Sequence, residues 1–95
     1  MTAYDPDNIF AKILRGEIPN HTVYEDETTL AFMDVMPQSD GHVLVIPKSE
    51  SRNLFDADEE ALKDLIIKTK MVARAVRSAL GADGVRLAQF NEAAA

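Results

Sequence analysis

Two side chains with useful chemistry lie on either side of a polar turn. Asp34 ends the apolar run 30–33, and His42 opens the next apolar run, 43–46. A carboxylate can accept hydrogen bonds from the hydroxyl groups of a ligand, and an imidazole can donate to a phosphate or orient a neighbouring group. Each residue also has an ordinary structural role, since aspartate is a common turn former and a lone histidine is often a satisfied structural residue. The residue types alone leave both interpretations open.

The other polar candidates carry less information. Asn91 follows the run 85–90 and is either a turn former or a hydrogen-bonding group of a site. Ser39 lies near His42, but its neighbours do not form the glycine-flanked turn of a nucleophilic serine. The sequence has no cysteine, and His21, His42 and the carboxylates show no spacing typical of metal ligands. We therefore expect no thiol chemistry, no metal and no cofactor.

Composition narrows the class of protein. The 95 residues suffice for one domain, which we take to cover residues 1–95. The net charge of −6 argues against general nucleic-acid binding, which usually needs a basic face. No apolar run approaches the roughly 20 residues of a membrane helix, and the first residues lack the basic and apolar segments of a signal peptide. We therefore expect a cytoplasmic protein with no membrane partner.

Hydrophobic periodicity predicts two helices that would frame these residues. The first covers residues 8–15, with Asn8 as its N-cap and Gly16 as its left-handed stop. The second and longer helix is predicted to begin after a cap at Asp56 and to end at Gly81. Its apolar stripe recurs at steps of three and four residues: Leu62, Leu65, Thr69, Val72, Val76 and Leu80.

Four strands are predicted, at residues 23–26, 29–34, 42–46 and 85–90. The third is apolar throughout, which suits burial on both faces. Together the elements predict an α+β fold, in which an antiparallel sheet packs under the one long helix. The apolar edge of the fourth strand would invite pairing with a second copy of the chain, with residues beyond Ala95, or with both.

An ordered set of motifs resembles a known family. They are Asn8-Ile9-Phe10-x-Lys12-Ile13, Arg15-Gly16-Glu17-Ile18-Pro19, Phe32-x-Asp34-Val35-x-Pro37, Gly41-His42-x-Leu44-Val45-Ile46-Pro47-Lys48 and Asn91. In this order and spacing, from about residue 8 to the end, the chain closely resembles the Hint-like branch of the histidine-triad (HIT) superfamily. The resemblance implies a HIT-like fold, a fifth strand beyond Ala95 and a homodimer. It also implies hydrolysis or transfer of nucleotidyl groups, typically from purine nucleoside phosphoramidates or related nucleotide conjugates, through a nucleotidyl-histidine intermediate.

The resemblance also implies roles for individual residues. Asp34 matches an acid that binds the ribose hydroxyls, and Asn91 matches an asparagine that hydrogen-bonds near the phosphate. His42 matches a residue beside the catalytic strand and would support catalysis without being the nucleophile. An apolar slot for the purine base would be lined by Ile9, Phe10, Ile13, Phe32 and Val35.

The catalytic histidines of the family lie in a His-x-His-x-His motif beyond the asparagine that Asn91 matches. The sequence stops at Ala95, before such a motif, so we expect this chain to lack the family's C-terminal catalytic strand. The complete form is expected to hydrolyse phosphoramidates, and residues 1–95 alone are expected to be inactive. The alternatives are a nucleotide-binding module without catalysis and a dimeric interaction protein.

Overall fold

The computed structural model of the chain describes residues 4–34 and 41–92. Its elements run in the order α1 (Ile9–Leu14), β1 (Thr22–Glu25), β2 (Thr29–Met33), β3 (Val43–Pro47), a 3-10 turn (Leu54–Asp56) and α2 (Glu59–Leu80). The predicted α+β class, with one short helix, one long helix and an antiparallel sheet, is confirmed. No helix among these residues is long and apolar enough to cross a membrane.

The sheet has the strand order β1-β2-β3, and both pairings are antiparallel. β2 and β3 pair without irregularity, from Thr29 opposite Pro47 to Met33 opposite Val43. The β1–β2 pairing contains a register shift near the start of β1. Because successive side chains of a strand point to opposite faces, the regular β2–β3 register decides which side chains meet each helix.

One face of the sheet packs against α1 and the other against α2. Ile13 of α1 forms a buried cluster with Leu30 and Phe32 of β2. Four partly buried side chains pack around this cluster: Leu14, Ile18, Leu44 and Ile46. The alternate residues of β2, Thr29 and Ala31, are fully buried on the opposite face. That face is the one that α2 covers through its contacts with β2 and β3.

The fourth predicted strand, at residues 85–90, is not present in the structure. Among the described residues the sheet contains three strands, and no backbone hydrogen bond joins residues 85–90 to a neighbouring strand. The side chains of Val85, Leu87 and Phe90 are exposed. The prediction was wrong because alternation is a local property of the sequence, whereas a strand also needs a paired backbone. The fifth strand stays a prediction.

The N-cap of α2 is also different from the predicted one. Asp58, and not Asp56, caps the helix, and its carboxylate accepts a hydrogen bond of 3.1 Å from the backbone N of Ala61. Asp56 belongs to the separate 3-10 turn, which has its own N-cap at Asn53. Because Ala57 adopts an extended backbone after this turn, the helix restarts from the next acid.

The other helix boundaries agree with the sequence. Asn8 caps α1 by accepting a hydrogen bond from the backbone N of Ala11 at 2.9 Å, and Gly16 follows with a φ of 79°. α2 ends at Gly81, which has a φ of 61°. The stripe of α2 faces inward at Val72, which is buried, but Leu80 is exposed. β3 is half-buried at every position because it lies at an edge of the sheet that the described residues form.

Candidate functional site

Asp34 and His42 meet where β2 ends and β3 begins. The β2–β3 register continues one pair beyond the strands, and the backbone N of Asp34 donates to the carbonyl oxygen of His42 at 3.0 Å. The side chains then share a face, and Nδ1 of His42 lies 3.2 Å from Oδ2 of Asp34. The side chain of Asp34 is 21% exposed and that of His42 is 32% exposed. The structure therefore brings these two predicted site residues together, at a place that a ligand can reach.

Strand alternation explains why the pair lies on the α1 side of the sheet. Leu30, Phe32 and Asp34 are alternate residues, so they point to the same face. Leu44 pairs with Phe32. His42 lies two residues before Leu44 and therefore points to the same face. The apolar core on this face therefore continues directly into a carboxylate and an imidazole.

The predicted apolar slot divides into an exposed part and a buried part. Ile9 and Phe10 are 57% and 42% exposed, whereas Ile13 and Phe32 are 9% and 4% exposed. The rings of Phe10 and Phe32 are in contact, with centroids 6.5 Å apart and planes tilted by 49°. Ile13 and Phe32 thus belong to the core, and Ile9 and Phe10 offer the apolar surface above it. Val35 lies outside the described residues.

Asn91 is held against the 3-10 turn. Its Oδ1 accepts a hydrogen bond of 2.9 Å from the backbone N of Leu54, and its Nδ2 donates to Oε1 of Gln89 at 2.7 Å. These two contacts orient the side-chain amide of Asn91. The sequence indicated the residue but neither of its partners.

Beside Asn91 lies an ion pair that no sequence pattern predicts. Nη1 of Arg52 lies 2.5 Å from Oε2 of Glu92, and Nδ2 of Asn53 donates to Oε1 of the same carboxylate at 3.1 Å. Hydrogen bonds from Arg52, which has the larger effect, and from Asn53 hold the pKa of Glu92 below its ordinary value. No periodic pattern connects residues so far apart in the chain, so the sequence carried no signal for this contact.

Gly41 sets the backbone conformation of the residue that precedes His42. Its φ is 76°, in the left-handed region that glycine adopts without strain. A Cβ built on this residue would lie 2.3 Å from Cδ1 of Leu80 and 3.3 Å from Cγ1 of Val76. The backbone just before the imidazole therefore packs closely against the last turns of α2.

A second polar cluster joins the β1–β2 hairpin to α2. The carboxylate of Asp26 accepts hydrogen bonds from Nζ of Lys68 and from the hydroxyl of Tyr24, the latter at 2.6 Å. Nζ of Lys68 also lies 3.3 Å from Oδ1 of Asp64. The carboxylate of Asp64 in turn accepts a hydrogen bond of 2.5 Å from Oγ1 of Thr28. Because its charged groups pair with one another, this cluster is a structural tie between the hairpin and the helix.

Two surface clefts lie away from the predicted site residues. One has a volume of about 470 Å³ and is lined by Glu27, Thr28, Pro47, Lys48, Ser49, Glu60, Ala61 and Asp64. The other has a volume of about 380 Å³ and is lined by Arg74, Arg77, Ser78, Gly81 and Ala82. Within residues 4–34 and 41–92, no three His, Cys, Asp or Glu side chains are grouped closely enough to hold a metal ion.

Comparison with known proteins gives relatives over nearly the whole chain. The sequence profile of the HIT domain matches residues 15–95. An uncharacterised 13.1 kDa HIT-like protein from Mesomycoplasma hyorhinis is 41% identical over 90% of this chain and 78% of its own length. Protein hit from Bacillus subtilis is 44% identical over 73% of this chain. The chain spans only 48% of that second protein, so it matches about half of a longer relative.

Solved structures share the fold. A Hit-like protein involved in cell-cycle regulation from Bartonella henselae, with an unknown ligand, superposes with a TM-score of 0.95 at 58% identity, over 97% of this chain and 71% of that one. A hypothetical histidine triad nucleotide-binding protein from Sulfolobus tokodaii gives 0.87 at 39% identity, over 90% and 57%. A HIT family hydrolase from Clostridium thermocellum gives 0.78 at 32% identity, over 93% and 77%. With the profile matching from residue 15 to residue 95 on a fold that these structures share, the chain belongs to the HIT family.

Proposed function

We propose that this HIT domain binds a purine nucleotide beside Asp34 and His42, where β2 ends and β3 begins. The observation that carries the proposal is the contact between Asp34 and His42, on the face where Phe10 packs on Phe32. This arrangement puts an apolar surface, a carboxylate and an imidazole on one side of the sheet. A nucleotide offers the matching sequence of groups, because it consists of a flat base, a sugar with neighbouring hydroxyls and a phosphate.

In this proposal the base packs on Ile9 and Phe10. Their exposed apolar surface offers no hydrogen-bonding groups to the base, which suits recognition of a purine by shape and stacking. Asp34 accepts hydrogen bonds from the ribose hydroxyls. A carboxylate can accept hydrogen bonds from several donors, so one side chain can bind two neighbouring hydroxyl groups. His42 and Asn91 lie on the phosphate side, where an imidazole N–H and an amide N–H donate to anionic oxygens.

We propose hydrolysis of purine nucleoside phosphoramidates for a form that also carries the family's His-x-His-x-His motif. Residues 1–95 contain two histidines, His21 and His42, and not that motif. In the proposed reaction an imidazole attacks the α-phosphorus, the P–N bond breaks and the amine leaves with a proton. Water then releases the nucleoside monophosphate from the nucleotidyl-histidine. The name of the Clostridium thermocellum relative, a HIT family hydrolase, supports this class of reaction.

Nucleotide binding is tested by calorimetry with AMP and with 2′,3′-dideoxy-AMP, which lacks both ribose hydroxyls. We expect wild-type protein to prefer AMP about tenfold or more, since a hydrogen bond to a charged group contributes about 1.5–3 kcal/mol. Asp34→Asn should lose that preference. Asp83→Asn is the matched control, because it removes an exposed carboxylate from another part of the chain and should keep the preference.

Two results would contradict the proposal. Absence of binding heat at millimolar AMP would remove the nucleotide site altogether. Equal affinity of the wild type for the two ligands would remove the ribose role of Asp34 while leaving binding intact. Hydrolysis is tested separately with adenosine phosphoramidate, which a form with the histidine motif should turn over and residues 1–95 should not.

We also propose that the protein is a cytoplasmic homodimer. Exposed apolar side chains on α2 and on residues 85–90 support an additional contact: Ile66, Ile67, Met71, Val85, Leu87 and Phe90. Light scattering after size-exclusion chromatography measures the mass directly. A mass of one chain at micromolar concentration would contradict the dimer, and cell fractionation tests the location.

A further inference from the structure

Glu92 has a backbone conformation that calls for an explanation. Its φ is 68°, and no other non-glycine residue of residues 4–34 and 41–92 has a positive φ. A residue with a Cβ persists in this region only where its surroundings hold it there, and such residues cluster at functional sites. Arg52 and Asn53 are the groups that hold the Glu92 carboxylate.

The anchor for Glu92 is itself well braced. The carboxylate of Asp56 accepts hydrogen bonds from the backbone N atoms of Arg52 and Asn53, each at 3.0 Å. Oδ1 of Asn53 accepts from the backbone N of Phe55 at 2.9 Å. These three contacts fix residues 52–56, so the ion pair from Arg52 ties Glu92 to a rigid turn.

The neighbouring Asn91 uses only part of its hydrogen-bonding capacity on this turn. An asparagine amide has two N–H donors and two acceptor lone pairs. Oδ1 receives the N–H of Leu54, and one N–H of Nδ2 goes to Gln89. The amide cannot be flipped, because the backbone N–H of Leu54 can only donate and therefore requires the oxygen of the Asn91 amide. The second N–H has no acceptor among the described residues, and its direction is fixed.

We propose that Arg52 and Glu92 form a positioning pair that aims the remaining amide N–H of Asn91 at the phosphate group of the nucleotide. The proposal rests on the proposed function, which places Asn91 on the phosphate side. Glu92 contacts no ligand in this account. It acts through the chain, because releasing its carboxylate lets its backbone leave the left-handed region and lets the adjacent amide turn away.

The test compares AMP with adenosine, which lacks the phosphate. Arg52→Gln should weaken AMP binding about three- to tenfold, the range expected when one or two orienting hydrogen bonds are lost. Adenosine affinity should not change. Glu92→Gly should give the same result, and it should fold readily because glycine accepts the observed φ.

Two further variants sharpen the comparison. Lys63→Gln breaks another surface ion pair, 3.0 Å from Lys63 to Glu60, and should leave both affinities unchanged. The exchange of Arg52→Glu with Glu92→Arg keeps an ion pair between the same positions and should recover part of the lost AMP affinity.

The outcomes separate the two proposals. Variants that bind AMP as tightly as the wild type would overturn the positioning role alone. A parallel loss of AMP and adenosine affinity would overturn it too, because it would indicate a general structural role. Failure of the wild type to bind AMP would overturn the proposed function, and this inference with it.

Discussion

Nδ1 of His42 lies 3.2 Å from Oδ2 of Asp34, one pair beyond the end of the β2–β3 ladder. This contact links the residue proposed for the ribose to a residue proposed for the phosphate side. A change at either position is therefore felt by both parts of the proposed site.

His42→Phe should weaken AMP binding about threefold, and Asp34→Asn about tenfold, because the carboxylate makes the charged hydrogen bonds to the ligand. The double variant should lose less binding free energy than the sum of the two single losses, since His42 both donates to the phosphate and orients that carboxylate. Titration calorimetry of all three variants measures the coupling. His21→Phe, at the other and exposed histidine, is the control and should have no effect. Losses that simply add would show that the two side chains act independently.

Mutations of the exposed apolar surface and of the core should affect different quantities, the affinity for AMP and the free energy of unfolding respectively. Phe10→Ala removes a half-exposed ring and should weaken AMP binding about tenfold, as expected for loss of one base-stacking side chain, with little change in stability. Ile13→Ala removes a buried side chain and should lower the free energy of unfolding by about 2–5 kcal/mol. Val23→Ala, at an exposed apolar position on β1, is the control for both measurements. A Phe10→Ala protein with wild-type AMP affinity would contradict the proposed place of the base.

Three glycines separate the energetic cost of a left-handed φ from the cost of a steric collision at Gly41, the residue before His42. Gly84→Ala should be nearly neutral, because this residue has no positive φ and nothing within 4 Å of a built Cβ. Gly16→Ala should cost about 1 kcal/mol for its left-handed φ alone. Gly41→Ala should cost more, because its Cβ would also collide with Leu80. Urea unfolding measures the series, and equal costs for Gly16→Ala and Gly41→Ala would show that Leu80 simply moves aside.

The hairpin cluster predicts a dependence of stability on pH. Hydrogen bonds from Lys68, Tyr24 and the backbone of Thr28 hold the pKa of Asp26 well below its ordinary value of 3.8. Because the unfolded chain takes up this proton at a higher pH, the stabilisation is complete above about pH 4 and is lost as the pH falls towards the lowered pKa. Asp26→Asn should therefore flatten the decline of the unfolding free energy below pH 4.

Other acids with lowered pKa values contribute slopes of the same sign, so the informative quantity is the difference between Asp26→Asn and the wild type. Urea unfolding at several pH values between about 2.5 and 7 gives that difference. Glu27→Gln removes a charge from the same turn without touching Lys68 and serves as the control. An unchanged slope in Asp26→Asn would contradict the role of this carboxylate.

Local patterns were enough to predict the two strands that position Asp34 and His42. Alternating and apolar runs on both sides of a polar turn predict a hairpin, and the register then brings Asp34 and His42 together. α1 was equally accessible, because Asn8 and Gly16 mark its ends by their own backbone preferences.

Contacts between distant parts of the chain were not accessible in this way. The pair of Arg52 with Glu92 depends on the packing of the last described residues against the 3-10 turn, which no periodicity encodes. The misplaced cap at Asp56 has a related cause. Two acids with suitable spacing precede α2, and the choice between them depends on whether residues 54–56 form a turn of their own.

The unbroken pairing of β2 with β3 has a consequence for the fidelity of folding. A slip of one residue in β2 would turn Leu30 and Phe32 away from α1, and it would turn Asp34 to the opposite face of the sheet. The same error would expose the core and dismantle the proposed binding site. A misaligned chain would therefore be unstable, and it would also lack the arrangement of side chains on which the proposed binding depends.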